Sequence, residues 1–255
     1  LIPDLPSTLE DLYFENNSVD SIPFLPSTLI NLDCGQNQLI KLPTLPNTLL
    51  KLDCGNNLIS ILPQLPTSLG ELFCNGNKIK TLPPLPNSLK LLYCQLNLID
   101  SLPYLPINLD NLYCAYNKIA KIPILPQNLI QLDCGNNNIN VLPQIPKHTS
   151  WLICENNPNL SCLPNKVDSI HILNILGTNI HCMPNRFPCD FYDINPNLLP
   201  ICDATSGCNS FSNISGNVHQ DTVVDCFTDS LQPGHGFSNI KLQLSTNGQV
   251  VQQAY

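Results

Sequence analysis

The sequence predicts a β-rich solenoid with a parallel sheet on its concave side and extended, polyproline-like backbone on its convex side, followed by an incomplete β-sandwich. Three observations carry this. Eight asparagines stand twenty residues apart, at Asn17, Asn37, Asn57, Asn77, Asn97, Asn117, Asn137 and Asn157. Seven cysteines keep the same interval from Cys34 to Cys154. Between them Leu52 and Cys54 alternate with Asp53 and Gly55, the period of two that turns one set inward and the other outward on a strand. A fixed period near twenty marks a stacked repeat whose units bury their apolar faces only against neighbouring units. Function is then to be sought on a surface.

Each element of the unit has a physical reason. In Leu42-Pro43-Thr44-Leu45-Pro46 the two prolines hold the chain extended and exclude a helix from the convex side, for which twenty residues leave no room anyway. Leu49, Leu52 and Cys54 are the inward positions around a short strand. Asn57 follows where the chain turns inward, and its amide is suited to backbone groups of adjacent coils that would otherwise be buried unpaired. The pattern LPxLPxxLxxLxCxxNxI resembles a bacterial leucine-rich repeat. That twenty-residue type is shared by type III secreted effectors and by surface proteins of gliding Gram-negative bacteria that use type IX secretion. The resemblance covers Leu1 to about Pro184, so residues 1–184 form the expected solenoid domain. Its opening at Leu1-Ile2-Pro3, already in phase, reads as a processed or partial chain.

From Asn157 the rhythm slips by one residue and a degenerate repeat follows, with Leu173 and Ile175 in the strand slots and Thr178 in place of the asparagine. Residues 185–213 read as a Pro- and Cys-rich cap and linker. The thirteen cysteines therefore divide. The seven in the ladder occupy a slot filled by Phe14 in the first repeat, as small buried hydrophobes with free thiols do. The remaining six, Cys162, Cys182, Cys189, Cys202, Cys208 and Cys226, lie where the core thins, and cross-links there suit an oxidising compartment. Cys162 and Cys182 occupy equivalent places in adjacent coils and are expected to bridge. Cys202 with Cys208 is the expected second pair, and Cys189 with Cys202 its alternative.

Residues 214–255 change character, with strand-like stretches at 214–221, 239–245 and 248–251 separated by turns. They resemble the start of a B-type sandwich module of the Cna or serine-aspartate repeat kind. About 40 residues rarely bury enough surface to fold alone, so another strand is expected to complete the module. The same resemblance implies a calcium loop at Asp221, Asp225 and Asp229, although Gln232 stands where that loop carries an acid. No other cofactor is expected.

A net charge of -8 with eleven Lys plus Arg argues against nucleic acid or an anionic membrane surface, since either needs a dense basic patch. No run of eighteen apolar residues is present to span a bilayer. The effector resemblance suggests a ubiquitin ligase, but the Cys-x-Asp nucleophile motif is absent. The five histidines show neither metal-ligand spacing nor pairing with a nucleophile, so no enzymatic activity is expected.

The outward strand positions hold Phe73, Tyr93 and Tyr113 in consecutive repeats, where they should stand about 5 Å apart as a ladder. Leu91, Leu96, Leu98 and Tyr116 add apolar area, and Trp151 lies further along. Such a surface either contacts a protein or sugar or stabilises the stack by cross-strand packing. Two functions follow first: an extracellular or cell-surface adhesion module holding a protein or glycan, or a fibre subunit that joins further copies of itself; an intracellular effector is the third reading, which the six cysteines outside the ladder disfavour. Five Asp-Ser/Thr-apolar triplets, at Ser21, Ser101, Ser169, Thr222 and Ser230, match the acceptor pattern of O-glycosylated exported proteins in the same bacterial group.

Overall fold

The structure, a computed structural model, describes residues 2–164, 170–184, 199–202, 208, 214–215, 242–246 and 249–254. Nine three-residue strands form one parallel sheet in chain order: β1 (Asp11–Tyr13), β2 (Asn31–Asp33), β3 (Lys51–Asp53), β4 (Glu71–Phe73), β5 (Leu91–Tyr93), β6 (Asn111–Tyr113), β7 (Gln131–Asp133), β8 (Trp151–Ile153) and β9 (Ile172–Asn174). Coils are numbered here by their strands. The register follows the sequence period, with Leu52 beside Leu72 and Leu72 beside Leu92. The one-residue slip appears between the last two strands, where Trp151 pairs with Ile172.

From β2 to β8 every strand buries its central leucine and turns its two flanking residues outward. The interior is a continuous column of repeated layers: Leu49, Leu69 and Leu89 before the strand, then the strand leucine, then the ladder cysteine, then Ile59, Ile79 and Ile99, all fully buried. Burying each such leucine is worth roughly 1.5–3 kcal/mol. Thr149 stands where the pattern requires one of these leucines, and it is tolerated because its hydroxyl donates to the Leu129 carbonyl at 2.8 Å. No helix interrupts the convex side among the described residues, where each unit makes one tight turn, as in the Leu49 N–H bond to the Pro46 carbonyl at 3.2 Å. A hydroxyl column accompanies these turns: Thr48 donates to Leu29, Ser68 to Leu49 and Ser88 to Leu69.

The asparagines tie coil to coil. Asn57 accepts the Leu39 N–H at 2.9 Å, and its amide hydrogens face the carbonyls of Cys34 in the preceding coil at 3.0 Å and of Cys54 and Gly55 in its own. The pattern repeats through Asn157, whereas Asn17 reaches only the Phe14 and Glu15 carbonyls of its own coil. The seven ladder cysteines are free and buried.

The cap differs from the expected cross-links. Cys162 bonds Cys208 and Cys182 bonds Cys202, with Cα atoms 5.5 and 4.9 Å apart. The expected Cys162–Cys182 and Cys202–Cys208 pairs are not formed. The reason is a further stacked segment: Met183 and Ile201 form a parallel bridge, which sets Cys202 over Cys182 as successive coils are set over one another. Cys208 then returns to Cys162. All four sulfurs share one cluster, with Cys182 Sγ 3.7 Å from Cys208 Sγ. Cys182, Cys202 and Cys208 have metal-ligand spacing, but their sulfurs are consumed by the bridges. Cys189 lies outside the described residues.

Further along, β10 (Ile214–Ser215), β11 (Leu242–Thr246) and β12 (Gln249–Ala254) form an antiparallel sheet in that order. They overlap the three expected stretches with different bounds: β10 is shorter, β11 begins and ends later, and β12 runs on to Ala254. Asp221, Asp225, Asp229, Ser169, Thr222 and Ser230 lie outside the described residues.

Candidate functional site

Three outward strand residues in consecutive coils form the site's centre. Phe73 and Tyr93 have ring centroids 4.8 Å apart at 31°, and Tyr93 and Tyr113 stack at 4.3 Å and 23°. In-register pairing places their Cα atoms directly opposite one another, so ring stacking follows from the period of the repeat. The Lys51 ammonium covers the far side of Phe73 at 5.3 Å from the centroid, and it also meets Glu71 at 3.7 Å. At the other end the Tyr113 hydroxyl donates to Gln131 Oε1. Burial, then the neighbouring Tyr93 and Asp133, push the Tyr113 phenol up to about 12. The stack is a half-buried, neutral strip.

Its neighbours are built differently. Coils 2, 3 and 7 carry Asp-Cys-Gly, and each aspartate Oδ1 accepts the glycine N–H two residues on, at 3.1 Å for Asp33, 2.9 Å for Asp53 and 3.2 Å for Asp133. The glycine leaves room for the side chain of the next coil. A Cβ at Gly55 would stand 2.9 Å from Asn75 Oδ1, and one at Gly135 2.9 Å from the Glu155 side chain. Coils 4, 5 and 6 replace the pair with Phe73/Asn75, Tyr93/Gln95 and Tyr113/Ala115. Burial raises the carboxyls of Asp53 and Asp133, and the glycine N–H groups oppose that shift.

The turn after the strand adds the rest of the surface. The residue before each ladder asparagine has left-handed backbone, with φ between 51° and 57° at Asn16, Gln36, Asn56, Leu96, Tyr116, Asn136 and Asn156, and 63° at Gly76. Asparagine and glycine are ordinary there. Leucine and tyrosine are not, and the conformation costs a bulky residue about 1–2 kcal/mol. Leu96 and Tyr116 are each 53% exposed, and Leu98 is also exposed. The structure thus brings Phe73, Leu91, Tyr93, Tyr113 and Tyr116 into one region of coils 4 to 6. Trp151 stands apart on β8, beyond Gln131 and Asp133 of β7, and its half-buried ring has an indole N–H without a partner among the described residues. The strain at Leu96 and Tyr116 is not visible in either residue alone. The signal is the column they belong to, whose other members are Asn, Gln and Gly.

A second apolar surface lies on the convex side. A hollow of about 340 Å³ is lined by Pro84, Leu85, Leu102, Pro103, Tyr104 and Pro123.

No protein-family model and no curated protein sequence matches the chain. Solved structures do. YopM of Yersinia pestis, described as a leucine-rich effector protein, superposes with a TM-score of 0.69 at 29% identity over 80% of this chain and 63% of its own. YopM from Yersinia enterocolitica gives 0.57 at 27% over 79% and 57%. The functional domain of InlJ from Listeria monocytogenes, described as including a cysteine ladder, gives 0.55 at 21% over 78% and 52%, a likeness of fold alone. The chain spans about three fifths of the length of the two YopM chains it matches. With its nine-stranded parallel sheet and its asparagine ladder, the chain has the leucine-rich repeat fold of these bacterial proteins.

Proposed function

We propose that the chain is an extracellular or cell-surface recognition module that holds a protein against the concave face of coils 4 to 6. The observation that carries this is the aromatic stack itself, which places three rings where coils 2, 3 and 7 place carboxylates. Binding energy concentrates in such anchors. The ring geometry favours a protein over a glycan. A hexose stacks on an open ring face, but most faces here are taken: Tyr93 lies between two rings, and Phe73 lies between Tyr93 and Lys51, which leaves the outer face of Tyr113. Edges and hydroxyls remain, which suit backbone carbonyls and aliphatic side chains. The two disulfides support an oxidising setting.

We place O-glycans on the same protein at Ser21 and Ser101. Both are exposed beside the convex segment, each hydroxyl donating to the preceding aspartate, so sugars there would leave the concave face clear.

A photo-crosslinking residue at position 93, with position 13 as the exposed outward control, tests the reading on the native cell surface. A polypeptide adduct at 93 and none at 13 is expected. Adducts to copies of the same chain would favour the fibre instead, and purely glycan adducts would refute protein recognition.

A further inference from the structure

The cap sulfurs stand closer together than two bridges require. Each disulfide needs only its own pair in reach, yet Cys182 Sγ lies 3.7 Å from Cys208 Sγ of the other bridge, and the sulfurs of Cys182, Cys202 and Cys208 all lie within 4.8 Å of one another. Cys162 Sγ, bonded to Cys208, completes the group. A tetrahedral Zn2+ with sulfur at about 2.3 Å sets its ligands about 3.8 Å apart. Between the bridges that spacing is already present. Within each bridge the S–S bond must open and the side chains turn about Cα–Cβ, with Cα atoms 5.5 and 4.9 Å apart in the two pairs.

The surroundings suit an ion. Cys182 and Cys208 are buried, whereas Cys162 and Cys202 reach solvent and leave an entry path. The Ser161 hydroxyl stands 3.8 Å from Cys162 Sγ, where it can donate to a thiolate and orient it. The seven ladder cysteines make the contrast. They stand one per coil in a line at about the 4.8 Å spacing of strands, so three successive sulfurs span about 10 Å and cannot meet on one ion. Burial also pushes their thiols up, which disfavours the thiolate a metal needs.

We infer that the cap has two alternative closures: with both bridges reduced, Cys162, Cys182, Cys202 and Cys208 bind a single Zn2+ as a tetrathiolate, and oxidation to the two disulfides expels the ion. In the forward direction a dithiol reductant gives each bridge two electrons and two protons and closes to its own cyclic disulfide. The four cysteine thiols so formed release their protons as Zn2+ binds. In reverse a disulfide oxidant takes two electrons from each cysteine pair, is itself reduced to thiols, and the metal leaves. The open end of the core is thereby held by zinc where thiols persist and by disulfides in an oxidising setting. The concave surface takes no part.

Full-length chain reduced with excess dithiol, separated from it under argon and given Zn2+ or Co2+ alone tests this. Alkylation followed by peptide mapping is expected to spare Cys162, Cys182, Cys202 and Cys208 together when Zn2+ is present and to label all of them once a chelator is added, while the ladder stays unlabelled throughout. Co2+ is expected to give the visible bands of a tetrahedral thiolate site, which the oxidised chain should not give. C182S/C208S should bind Zn2+ more weakly by more than the roughly 10–100-fold that loss of an outer partner costs, with its ladder still unlabelled, which shows that the solenoid is folded. Equal labelling of the cap cysteines with and without Zn2+ would overturn the inference. So would octahedral Co2+, protection of Cys189 or Cys226 in place of a cap cysteine, or a C182S/C208S variant that binds as tightly as the unaltered chain. Should that variant expose its ladder, the labelling of the unaltered chain decides by itself.

Discussion

Coils 3 and 5 share a backbone and a core and diverge only where they meet solvent. Each buries a strand leucine, a cysteine and an isoleucine, and each closes with an asparagine making the same bonds to its neighbours. Outside, coil 3 presents Asp53, whose carboxylate is satisfied within the coil by the Gly55 N–H. Coil 5 presents Tyr93, whose ring is satisfied only by rings of coils 4 and 6. The difference teaches how a one-dimensional stack specialises. A residue closed on its own coil can be exchanged singly, whereas a residue closed on its neighbours comes as a block. The block of coils 4 to 6 is therefore a unit, and the acidic coils around it frame it.

The largest effect is expected where this independence ends, in the shared asparagine ladder. Asn97→Ala strands the buried carbonyls of Cys74 and Cys94 and the Ile79 N–H, and should cost about 3–5 kcal/mol in chemical denaturation. Asn17→Ala should cost under about 1 kcal/mol, since its partners are exposed carbonyls of its own coil. Equal losses would show that the coil-to-coil bonds are not what the ladder contributes. Next in size is the block: Tyr93→Ala removes two ring contacts and should cost about 1–3 kcal/mol beyond lost area, while Tyr13→Ala, on an outward ring with no ring partner among the described residues, should be nearly neutral.

The frame is sharpened by pH. Asp53 and Asp133 have raised carboxyls in the folded chain because burial disfavours their charge. Their protonated forms therefore stabilise the fold. That contribution is fully present below the ordinary aspartate value of 3.8 and is lost as pH rises through the higher folded value. Thermal melts across this window should show the trend in the unaltered chain and a flatter profile in D53N/D133N. Smaller still is the contrast between ladder and cap sulfurs. Burial pushes the Cys94 and Cys154 thiols up to about 12, so native protein at neutral pH should resist alkylation along the ladder. Mild reduction should make the cap cysteines react first. The smallest structural effect belongs to modification: an intact mass of native protein above the bare 28.2 kDa is expected, and a match to the bare chain would remove the glycans at Ser21 and Ser101.

Much of the molecule was legible before any coordinates, because in a solenoid each residue's neighbour is the residue one period away. Asn57, Leu52, Cys54 and the Phe73–Tyr93–Tyr113 alignment all follow from that rule, down to which atoms face solvent. The rule also separated free ladder thiols from the other six cysteines. It failed at the cross-links of the cap. Cys202 stands twenty residues after Cys182 and stacks over it, so the rule reaches that pair, but the return of Cys208 to Cys162 depends on how a segment outside the repeat packs on the last coil. Two further features needed the folded chain. The left-handed backbone at Leu96 and Tyr116 is imposed on unsuitable residues by bonds from neighbouring coils, and local preference would have placed Asn or Gly there. The closure of the ring faces by Lys51 and by one another depends on side-chain packing, which periodicity aligns but does not orient. Sequence determined the stack and its surfaces because repetition makes contacts local. Tertiary structure decided the Cys162–Cys208 return, the strain and the covering of the ring faces, because backbone bonds and side-chain packing choose among contacts that the period only brings near.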